Sequence, residues 1–123
     1  MNTFIKDCLR TESTQFNINS KADQRLIHAA MGLQTESAEF TDALKKYVFY
    51  GKELDKVNLK EELGDMLWYM SIAFSALGTT YEEEQERVIN KLKVRYPDKF
   101  TEEKAEVRDL MAERTVLEQH ETE

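Results

Sequence analysis

Four carboxylates stand where their spacing allows chemistry. Glu36 and Glu39 lie in "GLQTESAEF" (32–40), and Glu62 and Asp65 lie in "EELGDMLWYM" (61–70). Residues three apart on an α-helix are separated by about 60° around its axis, so each pair points to one side. Each pair also flanks an apolar seam, with Leu33 and Phe40 bracketing the first and Leu63 and Met66 the second. If the two helices pack antiparallel, the four carboxylates converge. Such a cluster repels itself or takes up protons unless a cation neutralises it. Oxygen-only ligands suit Mg²⁺, with Mn²⁺ as a substitute. An isolated acidic pair at this spacing is more often what a solvated helix face carries. Two pairs beside the seam, each near a helical glycine (Gly32 and Gly64), favour the metal site. A glycine inside a helix costs about 1 kcal/mol relative to alanine and implies a reason in packing or function. Di-iron bundles use Glu-x-x-His; neither His28 nor His120 stands three residues after a glutamate, so a hard cation is expected rather than iron.

The elements that must position these residues follow from apolar periodicity. Leu26, Ala30, Leu33, Phe40, Leu44 and Val48 recur at helical steps and predict a helix over 21–48, stopped by Gly51. Asp55 is placed to cap a second helix over 56–77, with Leu59, Leu63, Met66, Met70, Phe74 and Leu77 as its stripe and Gly78 as its end. Thr80 and Glu83 fit a capping box for a third helix, about 81–95, which Pro97 closes. A last helix is expected from Thr101 through "TEEKAEVRDLMAERTVLEQ", and a short one near 3–11. The expected fold is all-α, an antiparallel bundle of four to five helices. It forms a single domain over 1–123, with a tail, about 118–123, that frays.

Composition narrows the partners. A net charge of -7 argues against nonspecific nucleic-acid binding, which needs a basic stripe. With Cys8 as the one cysteine, neither an intramolecular disulfide nor a thiolate zinc site can form. The N-terminus does not read as a signal peptide, and no apolar run approaches the ~20 residues of a membrane span. A soluble cytoplasmic protein with no membrane partner is expected.

At the acidic pairs the chain resembles the MazG-like nucleoside triphosphate pyrophosphohydrolases, within the all-α NTP pyrophosphatase superfamily. Their pattern is E-E-x-x-E followed, after a gap, by E-x-x-D. Here "TESAE" (35–39) and "ELGD" (62–65) stand in those places, the likeness extends over 32–74, and "NKLKVRYPDKF" (90–100) resembles the segment that follows. The match departs from the pattern at Thr35, where the first glutamate is missing. That leaves open whether one fewer Mg²⁺ is held or Glu61 helps by another route; Glu61 itself is expected to be solvated.

The resemblance implies Glu36, Glu39, Glu62 and Asp65 as metal ligands. It also implies Mg²⁺-dependent hydrolysis of a (d)NTP between the α- and β-phosphates to (d)NMP and pyrophosphate, with Glu36 or Glu39 orienting or deprotonating the water. The alternatives are a phosphoribosyl-ATP pyrophosphatase-type activity and a non-enzymatic helical interaction protein. Asn90, Lys93 and Arg95 are expected to contact phosphate, against the alternative of a basic face favoured at a helix C-terminus. Lys52 could reach a phosphate from the turn. Tyr69 lies seven residues after Glu62 and His28 eight before Glu36, so both are nearly in phase with the acids and are candidates for the base; a structural histidine is the other reading of His28. Trp68 is expected in the core. Leftover apolar helix faces, with the resemblance, imply a homodimer or a homotetramer built from dimers, with the site near the subunit boundary.

Overall fold

The structure is a computed structural model and describes residues 2–119. The described residues form six helices and no strand: α1 (Thr3–Leu9), α2 (Lys21–Tyr50), α3 (Lys56–Leu77), α4 (Tyr81–Arg95), α5 (Glu102–Glu106) and α6 (Leu110–Glu118). The fold is therefore all-α. The single last helix expected from Thr101 is two helices. Val107 is extended at φ -99° and ψ 104°, and the Asp109 carboxylate accepts from the Ala112 amide at 3.0 Å, so a new N-terminus starts where the first helix breaks. The fraying expected of about residues 118–123 falls, from 120 onward, outside the described residues.

Each long helix begins and ends for a local reason. Ser20 and Asp23 form a reciprocal capping box at the start of α2, and Gly51 ends it at φ 64°, the left-handed region that glycine enters without a Cβ penalty. Asp55 caps α3 by accepting from the Asn58 amide at 3.0 Å, and Gly78 ends it at φ 71°. Thr80 caps α4 as expected, but only half of the box forms: the Glu83 carboxylate accepts from the Thr79 hydroxyl at 2.9 Å.

α2 and α3 pack as one antiparallel hairpin, and α4 and α6 as a second. Arg25 donates to the Ser75 hydroxyl at 2.6 Å near the open end of the first hairpin. Its register is set midway by Gly32, where a Cβ would lie 2.1 Å from the ring of Tyr69; only a glycine lets that ring lie against the helix backbone. Tyr81 ties α4 to α3, its hydroxyl pairing with Ser71 at 2.8 Å and donating to the Leu67 carbonyl, and its ring meeting Phe74 edge to face at 4.7 Å. The second hairpin is closed by charge. The buried Glu113 of α6 takes Arg95 Nε at 2.9 Å and Arg108 Nη2 at 2.6 Å.

The interior is thin. Ala29 is the one buried apolar side chain among the described residues. Several stripe residues expected inside are exposed: Ala30 and Val48 on α2, Leu63 and Leu77 on α3. Trp68, expected in the core, is 73% exposed. The physical reason is that α3 is covered by α2 on one side only, so the seam takes Leu59, Glu62, Met66, Tyr69 and Ala73 and leaves the next face of the helix open.

Candidate metal centre

The antiparallel register turns two pairs along the sequence into one cluster across the hairpin. Carboxylate oxygens of Glu36, Glu62 and Asp65 all lie within 4.8 Å of one another. Glu62 was expected to flank the seam; it lies in it, at 6% exposure, while its neighbour Leu63 faces out. Glu36 and Asp65 are half-buried and Glu39 is exposed. Glu36 Oε2 and Glu62 Oε2 are buried with no hydrogen-bond partner. An unpaired buried carboxylate oxygen is among the most unfavourable groups a fold can carry. Three oxygen donors converging on one point, two with orphaned buried atoms, fit a hard divalent cation.

Electrostatics carry the same signature. The facing Glu36 carboxyl, then burial, then the neighbouring Glu39 carboxyl push Glu62 up to about 7 from an ordinary 4.5. Each cause disfavours a second negative charge at this point, and a cation there reverses them.

The site opens onto a cavity of about 420 Å³ at the turn between α2 and α3, lined by Glu39, Asp42, Lys46, Lys52, Asn58 and Glu62 among others. Glu39 and Glu62 therefore belong to both the acidic cluster's edge and the cavity wall. Lys52 is exposed on this rim, whereas Lys46 is paired with Asp42 at 2.7 Å. On the other side of the cluster, His28 meets Tyr69 edge-on at 5.8 Å. The two residues face each other one to two turns from the acids, His28 exposed and Tyr69 half-buried.

Asn90, Lys93 and Arg95 are not brought to this cavity in the single chain; they lie on α4, in the other hairpin. Asn90 is half-buried and Lys93 exposed, and Arg95 is held by Glu113. Thr35 does not face the cluster as a ligand: its hydroxyl donates to the Gly32 carbonyl at 3.0 Å, and Glu61 is exposed as expected.

Two features were not singled out from the sequence. Asn58 lines the cavity, and its position four residues before Glu62, on the same face of α3, is the signal that finds it. The Arg95–Glu113–Arg108 cluster had no such signal, because its members join only when α6 folds back on α4.

Among the described residues no helix is long and apolar enough to cross a membrane. Comparison with curated proteins and with solved structures gave no match. Comparison with protein families matched residues 24–100 to the MazG nucleotide pyrophosphohydrolase domain. That stretch is well over half of the chain and contains all four acids, α2 but for its first three residues, α3 and α4. The chain belongs to the MazG nucleotide pyrophosphohydrolase family.

Proposed function

We propose that this protein is a Mg²⁺-dependent nucleotide pyrophosphohydrolase that cleaves a (d)NTP between the α- and β-phosphates to (d)NMP and pyrophosphate. The observation that carries the reading is the pair of orphaned buried oxygens, Glu36 Oε2 and Glu62 Oε2, in an acidic cluster that opens onto a polar cavity. Glu36, Glu62 and Asp65 would hold Mg²⁺ (or Mn²⁺), with Glu39 completing the set. The ion supplies positive charge to the phosphate oxygens and acidity to water.

The remaining work falls to the chain. Glu39 is the exposed acid and faces the cavity beside Glu62, so it is best placed to orient the attacking water and take its proton. Glu36, the other candidate for that role, is more enclosed. Water adds to the α-phosphorus, the bond to the β-phosphate oxygen breaks, and pyrophosphate leaves. Lys52 contacts phosphate from the rim. His28 and Tyr69 form the end that meets the nucleoside. Asn90, Lys93 and Arg95 serve as phosphate contacts delivered by a second copy, since α4 of the same chain does not line the cavity. The protein is accordingly a homodimer, or a pair of dimers, acting in the cytoplasm. Residues 1–123 form one functional domain.

Pyrophosphate release from a panel of NTPs and dNTPs, with and without Mg²⁺, tests the reading. Metal-dependent release, abolished by Glu39→Gln in a protein of unchanged helicity, is expected. Turnover retained in Glu39→Gln would remove that residue from the reaction. Release from phosphoribosyl-ATP alone would move the substrate. With no release from any nucleotide and no thermal shift on adding Mg²⁺, the chain would be a helical interaction protein.

A further inference from the structure

The N-terminal arm, residues 2–19, lies outside the family-matched stretch; it joins α2 where the Asn19 amide donates to the Asp23 carboxylate at 3.1 Å. α1 is a formed helix, capped by Asn2, which accepts from the Phe4 amide at 2.7 Å. It carries Phe4, Ile5, Cys8 and Leu9 at steps of one and four, an apolar face of two turns. Yet α1 has no buried residue and makes no substantial packing with another helix. Phe4 is 76% exposed and Phe16, further along the arm, 85%. A seven-residue helix is far below the length that is stable alone in water, so an ordered α1 requires a surface to pack on.

A surface of matching kind is uncovered on α3. Leu63, Leu67 and Trp68 are exposed together, and Gly64 between them has nothing within 4 Å of where a Cβ would stand. The backbone can be approached closely there. The stretch from Leu63 to Trp68 rises ~8 Å along the helix, and α1 is ~10 Å long, so one covers the other.

The whole chain shows the same deficit. Its accessible surface is 10266 Å² for 14.4 kDa, where a compact folded monomer of this mass exposes about 6,800 Å². The excess of about 3,400 Å² per chain is enough to supply the roughly 1,000–2,500 Å² that each partner gives up in an obligate homodimer interface. A second copy provides that area and presents the same α3 face.

We propose that the arm is an exchanged element: α1 of each copy packs its Phe4–Leu9 face across the Leu63–Trp68 face of α3 in the other. The proposal rests on the homodimer reading above and adds to it which segments meet. It places the arm on the outer side of the helix that carries Glu62 and Asp65, so assembly stiffens one wall of the acidic cluster.

Cys8, the sole cysteine, lies on the apolar face of α1 and is a built-in probe. Lys60, exposed one turn before Leu63 and Gly64, is the mate position. A size-tagged chain carrying Cys8→Ser and Lys60→Cys is co-expressed with the untagged natural chain, purified as the mixed assembly, and treated with a short bismaleimide. A covalent species containing one tagged and one untagged chain is expected. In parallel, Phe4→Ser with Leu9→Ser is expected to raise the dimer dissociation constant at least about tenfold with any loss of helicity confined to α1, because α1 has no buried residue and makes no substantial packing within the chain. A dimer in light scattering that yields no tagged–untagged product overturns the arm exchange and leaves the dimer standing. So does a cross-link confined to one chain in a Lys60→Cys protein that retains Cys8. A natural chain that is monomeric at micromolar concentration overturns both. All these readouts are independent of nucleotide turnover.

Discussion

Two buried glutamates in this molecule have opposite fates. Glu113 on α6 lies between Arg95 and Arg108, and those hydrogen-bonded guanidiniums hold its carboxyl down at about 2. Glu62 on α3 is nearly as enclosed but faces Glu36 and Glu39, and is pushed up to about 7. Residue type and burial are alike; the difference lies in which charges the surrounding helices contribute. A buried carboxylate whose partners are cations is finished, and serves to close the α4–α6 hairpin. A buried carboxylate whose partners are other carboxylates is unfinished, and implies something not supplied by the chain. The contrast teaches how to tell a structural buried charge from a binding one: by the sign of its neighbours rather than by depth.

The contrast can be broken at its sharpest point with Glu62→Gln. Loss of outer-shell partners alone weakens metal sites roughly 10–100-fold, so removing a ligand should lower kcat/KM by more than about 100-fold. The same change should raise the melting temperature of the metal-free protein at pH 8, because it removes a carboxylate that is disfavoured there. Glu113→Gln should do the reverse, lowering the melting temperature at neutral pH through two unneutralised arginines while Mg²⁺ binding persists in calorimetry. A stability gain in Glu113→Gln, or a loss in metal-free Glu62→Gln, would end the distinction.

Next in size is the pH profile. The folded-state value of Glu62 lies above its ordinary 4.5, so metal-free protein is more stable below that value and loses this contribution as pH rises from about 4.5 through 7. That of Glu113 lies below 4.5, so its contribution is present above 4.5 and is lost as pH falls toward about 2. Thermal melts in a chelator should therefore fall away on both sides. Mg²⁺ should restore the upper limb, with affinity rising through pH 7 as the Glu62 proton is displaced. Chelator and Mg²⁺ profiles that coincide above pH 7 would remove the cation from the argument.

The smallest effects compare the two helical glycines. Gly32→Ala drives a Cβ into the Tyr69 ring and should destabilise by about 1–3 kcal/mol in denaturant melts, as overpacking does. It should also cut activity, since Tyr69 lies one turn from Asp65. Gly64→Ala meets nothing in the single chain and should stabilise an isolated chain by about 1 kcal/mol through helix propensity. A weakened dimer in Gly64→Ala would instead mark a close approach of another chain at that position.

Much of this was legible beforehand because it is local. Ser, Thr, Asp and Gly at helix ends, and apolar residues at helical steps, place α2, α3 and α4 within a residue or two of the expected limits. The four acids stood out through spacing alone. Two adjacent residues in α3 were less legible. Leu63 reads as core and Glu62 as its polar flank, yet the carboxylate lies inside and the leucine outside. Periodicity gives a stripe its width but not its phase to within one residue, which is about 100° of rotation; the register with α2 decides that. Trp68 misled for the same reason: it lies on the face of α3 that α2 leaves open.

The sequence by itself determined α2, α3 and α4, the acidic pairs and the resemblance that agrees with the family match over residues 24–100, because each depends on residues within a few turns of one another. Tertiary structure alone decided that Glu36, Glu62 and Asp65 converge while Glu39 turns toward the cavity, and that Arg95 is shared with Glu113 through a helix outside the family match. Those outcomes depend on the register between helices far apart in sequence. That register is set by single contacts such as the Tyr69 ring on Gly32, which no local rule contains.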